Sequence, residues 1–343
     1  MFSVNNFTTY THGVNLPHEE VPYTVSQIAV SDSSSVYSRW TNTPDALIIA
    51  DMMESQLPNW NDLFADAMLR ASTVARGSRG ELADWDKNRA IRFQKRTRES
   101  NYARELLRRI AIPLDSTVLD VGCGPGALSF PIARQARLVT AVDMSENMLK
   151  IMKEMARQEN ITNIQYVHNS WLAVKPDRDI EQHDIVICSR SIHLVSAEEQ
   201  RDGEDLRVRW DLAAALAKMN RLARSQVFVT SWAPFVSRLE QDLCRLVGKT
   251  YVPPPDYIHI YNVLYQMGIY ADIEFWTHER KRVFATVDEA TEDFVWLLNV
   301  KRDADKNKLR EYLEVNLVED NGSLAPREIE RRDIALLKWK PVQ

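Results

Sequence analysis

The sequence predicts an α/β fold: a doubly wound, mostly parallel seven-stranded sheet with an antiparallel last strand, preceded by an N-terminal helical and irregular extension. Three observations carry this expectation. From Ser116 onward, short β-branched runs alternate with helix-like stretches. A glycine cluster stands directly behind the first of those runs. Two more strand-like segments, separated by helices, close the chain. Strands alternating with helices form βαβ units, and these build a parallel sheet covered on both faces.

Taken in order, residues 1 to about 56 are polar and irregular, with a serine-rich patch at Ser31 to Ser35. A helix follows, with Asn59 suited to its N-cap and Gly77 to its C-terminal stop. Trp60, Leu63, Phe64, Ala67, Met68, Ala71 and Val74 recur there at helical spacing, so one face is apolar. That face packs on the main domain or covers a substrate. A second helical stretch covers roughly 85–110, with Tyr102, Leu106, Leu107 and Ile110 on one side. Strands are then expected at Val118–Val121, Leu138–Val142, Ile164–Val167, Asp184–Cys188 and Gln226–Thr230, with helices at Asn147–Gln158 and Asp205–Leu222. Toward the end, Ala271–Phe284 reads as a strand, 287–318 as helices and Ile334–Trp339 as a last strand, the two strands pairing antiparallel at a sheet edge.

Bulk properties bound the function. With 343 residues the chain can bury a large core. A net charge of −5 argues against a protein whose main task is gripping nucleic acid. The N-terminal residues show no basic head followed by an apolar region, and no apolar run approaches membrane-spanning length, so neither a signal peptide nor a membrane span is expected. Cys123, Cys188 and Cys244 are odd in number and fit no metal or redox spacing. These features predict a cytoplasmic protein with reduced thiols and no bound metal.

The most informative stretch is VLDVGCGPGA, residues 118–127, which holds three of the chain's 10 glycines. In an open α/β sheet, ligands sit past the carboxyl ends of the strands. Glycines there permit positive φ and let backbone approach a ligand with no Cβ in the way. Gly122, Gly124 and Ala127 satisfy the loose dinucleotide pattern G-x-G-x-x-G/A, so NAD or FAD is one reading. Asp120, two residues before the first glycine, makes more sense beside a cation than beside a pyrophosphate. The loop also carries no Lys or Arg to neutralise phosphates. A nucleoside bearing an ammonium or sulfonium fits better. Asp143 ends the second strand, 17 residues after Gly126, where a carboxylate can accept both ribose hydroxyls. It also suits an N-cap for the helix beginning Met144-Ser145-Glu146.

VLDVGCGPGALSFPIA followed by VTAVDMSENML closely resembles the first two motifs of the class I, Rossmann-like S-adenosylmethionine-dependent methyltransferases. By motif and order the resemblance covers roughly residues 85–232, and the antiparallel ending is similar to that family's last strand pair. It implies S-adenosyl-L-methionine as cofactor and methyl transfer to an acceptor by in-line displacement. Asp120 would face the cofactor's ammonium, Gly122, Cys123, Gly124 and Gly126 would lie under its methionine part, with Cys123 a small neutral filler, and Asp143 and Met144 would meet the ribose side. After the third strand, Asn169, Ser170 and Trp171 stand where the family often places an acidic residue against the adenine amine. Asn169 departs from that pattern but keeps an amide oxygen that can accept from the amine. Trp171 either packs on adenine or fills the core. After the fourth strand, Ser189 joins the cofactor-binding set, and Arg190 and His193 are the candidate catalytic residues. Arg190 would bind a carboxylate or phosphate of the acceptor, and His193 would act as general base.

The resemblance also organises the chain into an N-terminal extension over 1–80, a candidate substrate cap, and a methyltransferase domain over 81–343 with helical insertions at about 233–268 and 287–318. The N/D-P-P-Y/F/W tetrapeptide of many amino-directed DNA, RNA and protein methyltransferases is absent after the fourth strand; Pro253-Pro254-Pro255-Asp256 comes much later. A small-molecule methyl acceptor is therefore expected. RNA or protein as acceptor, favoured only by the basic stretch Arg89–Arg109, and a non-catalytic cofactor-binding protein are the alternatives.

Overall fold

A computed structural model describes residues 58–71 and 87–342, apart from 203–204, 235–236, 281 and 328. The expectations placed on residues 1–57, on Val74 and on Gly77 lie outside the described residues. The elements are α1 (Trp60–Arg70), α2 (Lys87–Glu99), α3 (Tyr102–Leu107), β1 (Thr117–Val121), α4 (Ser129–Ala133), β2 (Leu138–Asp143), α5 (Glu146–Gln158), β3 (Ile164–His168), β4 (His183–Ser189), α6 (Ile192–Val195), β5 (Ala197–Asp202), β6 (Asp205–Trp210), α7 (Leu212–Leu222), β7 (Ala223–Trp232), α8 (Arg238–Leu246), α9 (Tyr257–Gln266), β8 (Asp272–Arg280), α10 (Val287–Leu297), α11 (Asp303–Asn316), β9 (Leu317–Asp320), β10 (Ser323–Pro326) and β11 (Glu330–Trp339).

Seven strands form one sheet in the order β3-β2-β1-β4-β7-β11-β8. The first five pair in parallel, and β11 runs antiparallel to both β7 and β8. The antiparallel strand thus lies one place inside the edge, with β8 outermost. Every residue of β1 is buried, as expected of a central strand covered by helices on both faces. The order reverses direction between β1 and β4, which places a crevice at the carboxyl ends of β1, β2 and β4.

Local chemistry fixes the helix ends. Asn59 caps α1 by accepting from the amides of Asn61 and Asp62, and Ser145, Asp211, Ser237 and Thr286 cap α5, α7, α8 and α10 in the same way. Helix α1 ends at Arg70. It is pinned to the domain: the Trp60 amide donates to Gln266, Gln266 donates to the Pro58 carbonyl, and Asn61 accepts from the Ala213 amide. With Phe64 and Met68 fully buried, α1 is part of the core. The compact unit that carries the sheet begins at Pro58.

Three elements differ from expectation. The helix expected over 85–110 is interrupted at Ser100 and Asn101, where the Ser100 hydroxyl accepts the Tyr102 amide and starts a new turn. The helix expected over Asp205–Leu222 begins only at Leu212; Asp205–Trp210 is a strand paired antiparallel with β5. The insertion at 287–318 continues past α11 into the β9–β10 hairpin, which turns at Asn321-Gly322. That segment has its own apolar cluster around Phe284, Phe294, Leu309 and Leu313.

Candidate active site

One cavity lies at the carboxyl ends of β1, β2 and β4. It is lined by Asp120 and the loop behind it, by Asp143 and Met144, by Asn169, Ser170 and Trp171, and by Ser189 and Arg190. Thus the two carboxylates singled out from the sequence face the same space. Of the eleven residues assigned to the cofactor, Gly126 alone does not line it.

The three glycines divide the work. All have positive φ: 70° at Gly122, 54° at Gly124 and 91° at Gly126. A Cβ at Gly122 would stand 2.5 Å from Ser191 and 2.9 Å from Val195, so this glycine lets the loop after β4 pack underneath. A Cβ at Gly126 would meet Phe130 at 2.9 Å and Met152 at 3.0 Å, so it admits the helical layer. Only Gly124 faces open space, with Phe93 at 3.8 Å as its nearest neighbour. Gly124 is therefore the position where a side chain would obstruct a ligand rather than the fold.

Asp143 holds the loop in shape. One carboxylate oxygen accepts the Gly124 amide and the other the Ser145 amide, each at 2.8 Å. The N-cap role weighed for Asp143 belongs to Ser145, which accepts the Met148 amide. Each Asp143 oxygen keeps a lone pair. Asp120 accepts from Ser129 Oγ at 2.5 Å and is 2% exposed. Burial, only partly offset by that hydrogen bond and reinforced by the charge of Asp143, raises its pKa to about 6. Burial also raises Asp143, against the lowering effect of its two amide donors. Among the described residues no Lys or Arg pairs with either carboxylate. The cavity therefore offers buried negative charge that a cationic ligand would relieve.

The far wall follows β3 and β4. The Asn169 amide donates to the Asp143 carbonyl, leaving its side chain at the cavity. Trp171 lines the cavity yet is 2% exposed, and its indole N–H donates to the Ala215 carbonyl, so it is built into the core as well as the cavity wall. Cys123 and Cys188 are buried, and desolvation pushes their thiol pKa up, which disfavours the thiolate form of both.

The two candidate catalytic residues part company. Arg190 lines the cavity, with φ +53° and its amide donating to Thr230. His193 does not line it. Its Nε2–H donates to the Pro255 carbonyl at 2.5 Å, its ring stacks on Phe64 with centroids 5.9 Å apart, and burial lowers its pKa. The α6 turn points the ring at α1 and the 253–256 segment.

Other wall residues carried no motif. Tyr102 hydrogen-bonds Ser189 and Thr230 at 2.8 and 2.7 Å. Phe93 and Thr97 bring α2 across the cavity. Helix α2 is tied down from the side by Asp293 of α10, which pairs with Arg92 and Arg96, and by Arg89 lying over Trp296. The spacing of Tyr102 with Leu106 and Ile110 marks an apolar helix face, and nothing in it marks contact with β4.

Comparison with known proteins agrees with this geometry. Residues 118–204 match the sequence model of the family described as a methyltransferase domain. That match agrees with the strand order and the acidic, glycine-rich crevice, and it assigns residues 118–204 to a methyltransferase domain. An uncharacterised protein of Haemophilus influenzae is 32% identical over 195 residues, 56% of this chain and 65% of that protein. The ubiquinone biosynthesis O-methyltransferase of Coxiella burnetii is 39% identical over 71 residues, 21% of this chain and 29% of that enzyme. The chain therefore spans less than two thirds of these relatives. Among solved structures, an S-adenosylmethionine-dependent methyltransferase of Aquifex aeolicus aligns over 59% of this chain and 93% of its own, with TM-score 0.41 and 16% identity. The magnesium protoporphyrin IX methyltransferase of Synechocystis, solved with bound S-adenosylhomocysteine, aligns over 81% and 96%, with TM-score 0.39 and 15% identity.

Proposed function

We propose that the chain transfers a methyl group from S-adenosyl-L-methionine to a small-molecule acceptor. The observation that carries this reading is the pair Asp120 and Asp143: a buried and a half-buried carboxylate on neighbouring strand ends, facing one cavity with, among the described residues, no Lys or Arg paired to them.

The residues fit that cofactor. Asp120 holds the ammonium, and the remaining lone pairs of Asp143 take the ribose hydroxyls. Gly124 lets backbone approach the methionine part, and Asn169 accepts from the adenine amine beside Trp171. When bound, the cofactor supplies a methyl group already activated by the positive sulfonium. The protein's task is then alignment and exclusion of water. Phe93, Leu194, Val195 and Met148 make the wall apolar, and Ser189 and Arg190 bound it on the acceptor side. Chemistry of this kind needs a general base only for an acceptor that must lose a proton early, so the commitment of His193 to the Pro255 carbonyl is no obstacle.

A small acceptor is favoured over RNA by the state of the basic stretch. Arg92 and Arg96 pair with Asp293, Arg98 with Glu159, and Arg108 and Arg109 with Glu105. Five cations of the stretch are thus engaged by carboxylates of the protein, which leaves fewer of them to release counterions from a phosphate backbone. Three buried cysteines with no disulfide accord with a reducing compartment such as the cytoplasm. No helix among the described residues is long and apolar enough to cross a membrane.

The test is incubation with methyl-labelled S-adenosylmethionine and fractionated cell extract, followed by mass analysis. Label in the small-molecule fraction supports the proposal. Label confined to RNA or protein replaces the acceptor class, and cofactor binding without transfer to any fraction replaces the enzyme with a binding protein.

A further inference from the structure

A second cavity of about 700 Å³ adjoins the first. The two share Phe93, Thr97 and Arg190. Trp232 and His278 supply flat faces on the far side.

Arg190 stands between the cavities in an unusual state. Its backbone is left-handed at φ +53°, a conformation that a bulky residue adopts only when its surroundings impose it. Its amide is fixed by both the carbonyl and the hydroxyl of Thr230, at 3.2 and 3.1 Å. The guanidinium lies 3.7 Å over the Tyr102 ring and 5.7 Å from the Trp232 ring, so aromatic faces hold its plane. Tyr102 is itself locked by its bonds to Ser189 and Thr230.

What distinguishes Arg190 is the missing counter-charge. The other charged residues around the second cavity are spoken for. Arg96 pairs with Asp293, Arg282 with Glu240, and Glu279 with Arg331. Among the described residues no carboxylate reaches Arg190, and burial lowers its pKa with only the charge effect of Tyr102 against it. An oriented, desolvated guanidinium without an anion is a receptor for one: its planar fork matches a carboxylate or phosphate with two parallel hydrogen bonds.

We propose that Arg190 binds an oxyanion of the methyl acceptor, and that the acceptor is an aromatic or otherwise flat small molecule bearing a carboxylate or phosphate, seated in the second cavity against Trp232 and Phe93. This rests on the methyl-transfer reading of the first cavity. Arg190 is then a specificity-determining residue: it fixes where the acceptor's charged end lies.

The test is titration of the protein saturated with S-adenosylhomocysteine, using benzoate, phenyl phosphate and neutral benzamide as probes and tryptophan fluorescence as the readout. At least one anion is expected to bind about tenfold or more tightly than benzamide, because a charge-assisted pair is lost in the amide. Arg190→Gln should remove that preference. Arg190→Lys, which keeps the charge but not the fork, should reduce it and serves where the glutamine variant does not fold. Equal binding of charged and neutral probes, no binding of either anion, or an undiminished preference in both variants overturns the proposal. Failure of the wild-type protein to bind S-adenosylhomocysteine at all would instead overturn the reading on which it rests.

Discussion

Asp143 Oδ2 accepts the backbone N–H of Gly124 at 2.8 Å while Oδ1 accepts that of Ser145 at the same distance. One carboxylate thus ties the end of β2 to the glycine loop of β1 and to the first turn of α5. The loop's shape and the proposed ribose contact therefore rest on the same side chain. Asp143→Ala should cost about 2–3 kcal/mol of stability through two amides left without acceptors. Thermal denaturation checks this, and an unchanged melting temperature would show the tether to be dispensable.

Gly122 and Gly124 separate fold from function. Alanine at Gly122 would drive a Cβ to 2.5 Å from Ser191 at φ +70°. A loss of about 3 kcal/mol or more is expected, as for overpacking combined with backbone strain. Alanine at Gly124 would meet only Phe93 at 3.8 Å, so the folded state bears a φ penalty of about 1–2 kcal/mol. Its main effect should be on the ligand, with S-adenosylhomocysteine binding weakened about tenfold or more. Wild-type affinity in Gly124→Ala would show that backbone approach there is not used.

Asp120 should make the ligand-free protein sensitive to pH. Its folded pKa of about 6 lies above the unfolded value near 3.9, so the folded state keeps this proton to higher pH than the unfolded chain does. Stability from this group is highest at low pH and falls as pH rises through 6, by an amount of order 2–3 kcal/mol. Asp120→Asn should remove that slope and leave the unliganded protein at least as stable at pH 7.5. An ammonium partner needs the ionised form, so affinity for S-adenosylhomocysteine should fall as pH drops below 6 and be poor in the variant at every pH. Affinity flat from pH 5 to 7 would contradict the pairing.

His193 tests a role by its absence. Its ring is engaged with the Pro255 carbonyl and Phe64, outside the cavity. His193→Gln should lower stability by about 1–3 kcal/mol and leave cofactor affinity unchanged. A catalytic histidine would give the reverse pattern, with turnover lost and stability kept.

Asp293 anchors the helix that closes the cavity. It pairs with Arg96 at 2.9 Å and Arg92 at 3.6 Å. These pairs are partly exposed, so Asp293→Asn should cost only about 1 kcal/mol globally. Locally, amide exchange across α2 should rise and S-adenosylhomocysteine should dissociate faster. Unchanged exchange over 87–99 would show that α2 is held by packing alone.

Much of the sheet was legible because β-branched runs ending in Asp120 and Asp143 announce themselves by composition and spacing. The β5–β6 ribbon was missed although Val208 and Trp210 alternate with Arg207 and Arg209, the period of a strand. The continuous helical signal from Leu212 onward masked it. The β9–β10 hairpin carried a readable sign as well: Asn321-Gly322, with φ of 50° and 76°, suits a two-residue hairpin turn. Other features were not local in sequence. That Arg190 would lie over Tyr102, 88 positions earlier, depends on how α3 packs beneath β4 and β7, and no spacing rule encodes that. The same holds for His193, whose partner Pro255 arrives with a distant insertion.

The most direct measurement is calorimetric titration of the purified wild-type protein and Asp143→Ala with S-adenosylmethionine. One site of roughly micromolar affinity is predicted for the wild type, weakened at least about tenfold in the variant. Absence of binding to the folded wild-type protein, or equal affinity in the two proteins, would contradict the assignment of this crevice.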